Sequence, residues 1–165
     1  MKKSEVYRLS MTTITVFTLF GILFFSLMLM SLDEFFEGSL LESILAAISG
    51  IFFSILFTGY GIYLWKKRKQ GYGFWWDDEG VVIDLNGTKV YWNEIENITL
   101  SRGYPNNLLI ATVIYPHYTH HEKIRMRRKK WMPTPAHSIT WYMIEKPQEF
   151  HDLLMNVWAG KRHSY

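Results

Sequence analysis

Between Lys123 and Lys130, six of eight residues are basic: Lys123, Arg125, Arg127, Arg128, Lys129 and Lys130. Trp131 follows them directly. Such a cluster gains roughly 1 kcal/mol per charge beside an anionic lipid surface, and a tryptophan seats well at headgroup level. These seven residues are therefore the candidate lipid-contact site. The competing use is a solvated loop, or an edge strand whose charges discourage pairing. The basic/apolar alternation from Lys123 to Arg127 fits such a strand. Binding of single-stranded nucleic acid is a third use of basic residues beside aromatics. Residues 70–165 carry eleven basic against ten acidic side chains, which argues against that partner.

Other groups have the right atoms in a weaker arrangement. His117, His120, His121 and Glu122 lie close in sequence. His117 and His121 would share a helix face, but Pro116 and the surrounding β pattern argue against a helix. They read as exposed loop histidines. His151 reads as solvated on the polar side of a helix. Asp77, Asp78 and Glu79 form an acidic triplet beside Trp75 and Trp76. Paired carboxylates can move protons, yet three in a row before a strand read as a solvated turn. The chain has no cysteine, which removes disulfides, thiolate nucleophiles and Cys-based metal centres. It has no nucleophile elbow and no phosphate-binding glycine loop. No catalytic, cofactor-binding or metal-ligating residue is assigned, and the expectation is a protein that is not an enzyme.

These residues follow an N-terminal third of a different character. Residues 10–32 and 43–65 are two uncharged runs of 23 residues each. About 20 apolar residues suffice to cross a bilayer core as a helix. The first run is too long for the apolar part of a cleaved signal peptide, and no small-residue cleavage site follows it. Lys2, Lys3 and Arg8 precede the first run, and Lys66, Lys67, Arg68 and Lys69 follow the second. The connection, DEFFEGSLLE, has four acids and no base. Basic flanks collect on the cytoplasmic side, so both termini are expected there, in a multi-pass protein of the cell membrane. Neither span carries an ionisable residue of the kind that ion pathways and proton relays need. Ala46, Gly50 and Ser54 form a ridge of small side chains. Its uses are packing within the hairpin or contact with a second copy in a homodimer.

From Gly71 onward the pattern turns to β. Strands are expected at 81–85 and 88–92, joined by Asn86-Gly87 in a type I′ turn. Further strands are expected at 95–101, 108–115, 123–127 and 138–144. A helix over 147–159 should follow, with Pro147 at its first position and Gly160 as its stop. Phe150, Leu153, Leu154, Val157 and Trp158 would form its apolar stripe. The expected organisation is a hairpin over residues 1–69 and a cytoplasmic domain over residues 70–165.

Three segments carry a resemblance: Glu79-Gly80-Val81-Val82-Ile83-Asp84, then Val90-Tyr91-Trp92-Asn93-Glu94-Ile95-Glu96-Asn97-Ile98, then Glu145-Lys146-Pro147-Gln148-Glu149-Phe150. Together with the preceding hairpin they resemble the bacterial pleckstrin-homology-like (PH-like) membrane proteins. The stretch from Pro116 to His137 departs from that pattern, being longer and more basic than a compact loop needs. The resemblance implies an α+β membrane protein with an antiparallel PH-like barrel or sandwich and a C-terminal helix. It places Trp92, Ile95 and Ile98 in the core and implies no enzymatic activity and no assigned ligand. The expected function is a membrane-anchored interaction or regulatory module in contact with lipid. A second expectation, of another class, is an immunity protein that protects its producer from a membrane-active toxin.

Overall fold

Nothing in the first uncharged run breaks a helix, and in this computed structural model it forms one, α1, over Met11–Met30. The structure describes residues 5–30, 40–103 and 109–162. The second run lies in α2, Leu40–Lys69. Both helices are long and apolar enough to cross a membrane. Lys2, Lys3, most of the acidic connection and Leu108, placed in a strand above, lie outside the described residues.

Small residues let the two helices approach. A Cβ on Gly21 would overlap Thr58 Oγ1 and stand 2.7 Å from the Thr58 nitrogen. A Cβ on Gly61 would overlap Thr18 Oγ1 and stand 3.2 Å from the Thr18 nitrogen. The two glycine–threonine contacts are reciprocal, one on each helix. The Thr18 hydroxyl donates back to the Ile14 carbonyl at 2.9 Å, so it needs no outside partner. Gly50 meets Met28, and the Ser54 carbonyl meets Gly21. The ridge of small side chains thus faces α1 at two of its three positions, while Ala46 is exposed. Rings fill the rest of the seam: Phe24 stacks on Phe53 and Phe57, and Phe17 meets Tyr60 edge-on. The outward side chains are apolar and bare, with Leu19 at 58% and Ile55 at 67% exposure.

The chain divides into the hairpin Met11–Lys69 and a second unit, which joins residues before the hairpin to Gln70–Tyr165. The joining segment is β1, Tyr7–Arg8, which pairs antiparallel with β2, Gly73–Phe74. Leu9 bridges Ile144, the Ser10 N–H donates to the Met143 carbonyl, and the Glu145 N–H donates to the Arg8 carbonyl. The division at residue 69 holds on the C-terminal side. On the N-terminal side, residues 7–10 are hydrogen-bonded into the β unit. Two alternating apolar residues, Tyr7 and Leu9, are too short a strand signal to register beside a long apolar run.

β3, Gly80–Val82, pairs antiparallel with β4, Lys89–Tyr91. Their hairpin turns over Asp84–Gly87, with Leu85 and Asn86 as the central residues, and not through a type I′ turn at Asn86-Gly87. The Gly87 N–H donates to the Asp84 carbonyl at 3.1 Å, and only Gly87 adopts positive φ, at 80°. The Asp84 carboxylate accepts from the Asn86 and Thr88 N–H groups, and this side-chain cap selects the longer turn. β5, Ile95–Arg102, β6, Ile110–Pro116, and β7, His137–Thr140, form an antiparallel three-stranded sheet in that order. Two-stranded sheets make up the remainder, and among the described residues no closed barrel forms. The class is α+β, with helices, then antiparallel sheets, then a C-terminal helix.

Three further expectations need correction. The segment 123–127 is not an edge strand; it lies in α3, His121–Arg128. Its alternation also satisfies a helical period, with Ile124 inward and Arg127 and Arg128 one turn on. The last strand ends at Thr140, where residues Trp141–Met143 form a 3-10 turn. The final helix, α4, covers Pro147–Arg162 and runs through Gly160. Its buried face is Phe150, Leu154 and Trp158, whereas Leu153 is exposed.

That face closes the core. Trp92, Ile95 and Ile98 are buried as expected, and Trp92 stacks with Trp158 at 6.3 Å. Tyr7 and Trp76 both contact the Phe150 ring, with centroids 5.1 and 5.5 Å away.

Candidate functional site

α3 is fastened to the β unit by one apolar side chain and two arginines. Ile124 is fully buried. Arg127 donates to the Glu94 carboxylate, and its guanidinium lies 4.6 Å from the centre of the Tyr91 ring. Glu94 is itself buried and accepts from the Tyr91 N–H at 3.0 Å. Arg128 places Nη1 2.9 Å from His137 Nδ1 and 3.3 Å from Thr134 Oγ1, with Nε 3.4 Å from Asp84 Oδ2. Arg125 binds Glu122 at 2.7 Å and the Lys130 carbonyl at 3.1 Å. Lys129 then ends the helix in the left-handed conformation, φ 53°, its N–H donating to the last turn.

His137 is almost fully buried against Arg128. A guanidinium only donates, so His137 Nδ1 accepts and the ring proton sits on Nε2. Burial, followed by the charges of Arg128 and His121, pushes the imidazole down to about 4. The ring is neutral at physiological pH, and its neutrality lets Arg128 stay.

The remaining members of the basic run behave differently. Lys123, Lys129 and Lys130 are exposed, and among the described residues their ammonium groups form no ion pair. Trp131 is 93% exposed and Met132 68%. The seven residues expected to act together therefore fall into two sets. Three arginines bind protein; three lysines and Trp131 face solvent. Met132 completes the second set, and its position beside Trp131 was a readable signal. Glu94, Asp84 and His137 carry no such signal, because only the fold brings them beneath α3.

The histidines do not converge. His117 caps the 3-10 turn Tyr118–His120, and its ring centre lies 6.3 Å from that of His120. The His121 Nε2 bonds the Pro116 carbonyl at 3.0 Å. Among the described residues no group of His, Asp or Glu is placed to hold a metal ion. His151 is not solvated: it is half-buried, with Nδ1 3.1 Å from Thr112 Oγ1, and burial lowers its pKa.

The acidic triplet also divides. Asp78 and Glu79 are exposed, but Asp77 is buried. Its carboxylate accepts from the Glu79 and Gly80 N–H groups at 3.0 Å and from Lys89 at 2.6 Å. Burial alone would raise its pKa; the Lys89 and backbone hydrogen bonds outweigh that and hold it below the usual carboxylate value. Its carbonyl receives the Trp92 indole N–H at 2.9 Å, so the residue builds the β3–β4 end of the core. A cleft of about 450 Å³ lies where β1 meets Glu145 and Lys146. No protein-family model, curated protein or solved structure matches the chain.

Proposed function

We propose that the chain is a membrane-anchored, non-catalytic module. Its two helices cross the cell membrane as a hairpin, and the β unit on the cytoplasmic side binds a partner instead of transforming a substrate. The observation that carries this reading is the β1–β2 ladder. Residues before α1 pair with residues after α2 inside one folded unit. A folded unit does not straddle a bilayer, because unsatisfied backbone groups are too costly there. A hairpin that begins and ends in the same unit must therefore return to the side it left. Arg8 at one end and Lys66, Lys67, Arg68 and Lys69 at the other support the cytoplasm as that side. The bare apolar flanks of α1 and α2 support lipid as their solvent, since water would penalise so continuous a surface.

A PH-like character for the β unit is part of this proposal. It is supported by antiparallel strands followed by a helix that buries Phe150, Leu154 and Trp158. Such a unit supplies a surface, and α3 with its following turn is the most charged part of it. An alkaline carbonate wash should leave the protein in the membrane pellet. Alkaline phosphatase fused after Tyr165 should be inactive, and a fluorescent protein fused there should fluoresce. Release by carbonate, or an active phosphatase, would contradict the proposal.

A further inference from the structure

The geometry points to a division of labour inside the basic run. We propose that Lys123, Lys129 and Lys130 dock the β unit onto anionic phospholipid while Trp131 and Met132 insert at headgroup level. The arginines between them do not touch lipid: Arg127 and Arg128 hold α3 to the β unit, and Arg125 ties α3 to its own closing turn. This inference rests on the membrane-anchored reading above.

Three observations carry it. First, Arg125, Arg127 and Arg128 are already committed to Glu122, Glu94, Asp84 and His137. An arginine that left Glu94 for a phosphate would strand a buried carboxylate. Second, the three lysines have no anionic partner among the described residues, and two of them, Lys129 and Lys130, immediately precede the most exposed tryptophan among those residues. An indole flanked by ammonium groups matches the boundary of an anionic bilayer, which offers phosphate outside and acyl chain within. A folded acidic protein would match the charges but would leave Trp131 and Met132 without apolar depth. Third, the link to the membrane is short. Residues 70–72 join α2 to β2, a reach of at most about 10 Å. Where the lysines come within a Debye length of about 8 Å of an anionic surface, its charge draws them in. Tethering also removes most of the entropic cost that a free domain would meet on reaching the surface.

The absence of cysteine makes the test direct. A nitroxide is placed through Met132→Cys in the full chain, reconstituted in nanodiscs of phosphatidylcholine alone or mixed with phosphatidylglycerol. A second label through Leu23→Cys, on an outward face of α1, reports the anchor itself. In the mixed discs the Met132 label should be shielded from an aqueous nickel chelate and open to oxygen. In neutral discs, or at high salt, it should be open to the chelate. Each lysine contributes about fivefold to the docked-to-undocked ratio. The triple variant Lys123→Ser, Lys129→Asn, Lys130→Ser should therefore lose protection by about a hundredfold in that ratio. Asparagine is used at 129 because it tolerates the left-handed conformation. Replacing all three lysines by arginine should retain protection.

Equal exposure of the Met132 label in both kinds of disc overturns the docking. So does equal protection in both, which would remove the lysines from the account. Loss of protection in the arginine triple as well would mean a packing role and overturn it too. A Leu23 label open to the chelate would sink the anchored reading itself. A shielded Leu23 label with an exposed Met132 label would sink the docking alone.

Discussion

Arg128 and His137 form the most demanding contact in the β unit. A permanent cation donates to a buried imidazole that must stay neutral; burial first, and the Arg128 charge second, lower the ring's pKa from 6.5 to about 4. The sign of the pH dependence follows. Below pH 6.5 the unfolded chain takes a proton on His137 that the folded chain refuses, so stability falls as pH falls, down to about 4. At 1.36 kcal/mol per pKa unit, about 3 kcal/mol is at stake over that window. A thermal melt of the full protein in micelles should show the midpoint dropping between pH 7 and 4.5. His137→Gln, which can still accept from Arg128, should flatten that drop. Unchanged acid sensitivity in the variant would mean that His137 does not titrate as described. The lysines next to this contact are outside its reach, so Lys130→Ser should leave the melting curve alone.

At the scale of elements, the hairpin seam is set by glycine and threonine. Gly21→Leu would drive a side chain into the Thr58 backbone, and Gly61→Leu would press on the Thr18 hydroxyl and crowd its backbone. Each should separate the helices and cost about 2–3 kcal/mol, as overpacking does. Gly59, which faces open space, should accept the same change with little effect. Proteolysis of the reconstituted protein across these three variants would check the ranking; equal sensitivity at 21 and 59 would contradict the seam.

Much of this level was legible in the sequence. Two uncharged 23-residue runs, an Asn-Gly turn, and Pro147 before an apolar stripe each identify an element by local chemistry. The misreading of α3 as a strand has a definite cause. From Lys123 to Arg127 the apolar positions fit a period of two or of three to four, and the segment is too short to decide. The neighbouring contacts, Ile124 in the core and Arg127 on Glu94, make the choice, and they are non-local. The candidate site was legible as composition, a basic run ending in Trp131. Its division into bound arginines and free lysines was not, because Glu94 and Asp84 lie more than thirty residues away in sequence.

Across the whole molecule, the segment before the hairpin belongs with the domain after it. Tyr7 packs on Trp76 and Phe150, and Leu9 bridges Ile144. Tyr7→Ala should destabilise the β unit by about 3 kcal/mol, the usual cost of emptying a buried aromatic site. The effect should appear in near-ultraviolet circular dichroism of the Trp76 environment, although residue 7 lies on the far side of the hairpin in sequence. No change there would detach the N-terminal segment from the unit.

That joining underlies the central claim, that a membrane-spanning hairpin returns to the side it left. The most direct measurement is labelling of single cysteines in intact cells with a membrane-impermeant maleimide. Glu42→Cys, at the start of α2, should react from outside. Glu96→Cys, exposed on β5, should react only after the cells are permeabilised. Reaction of Glu96→Cys in intact cells, or protection of Glu42→Cys there, would contradict the account.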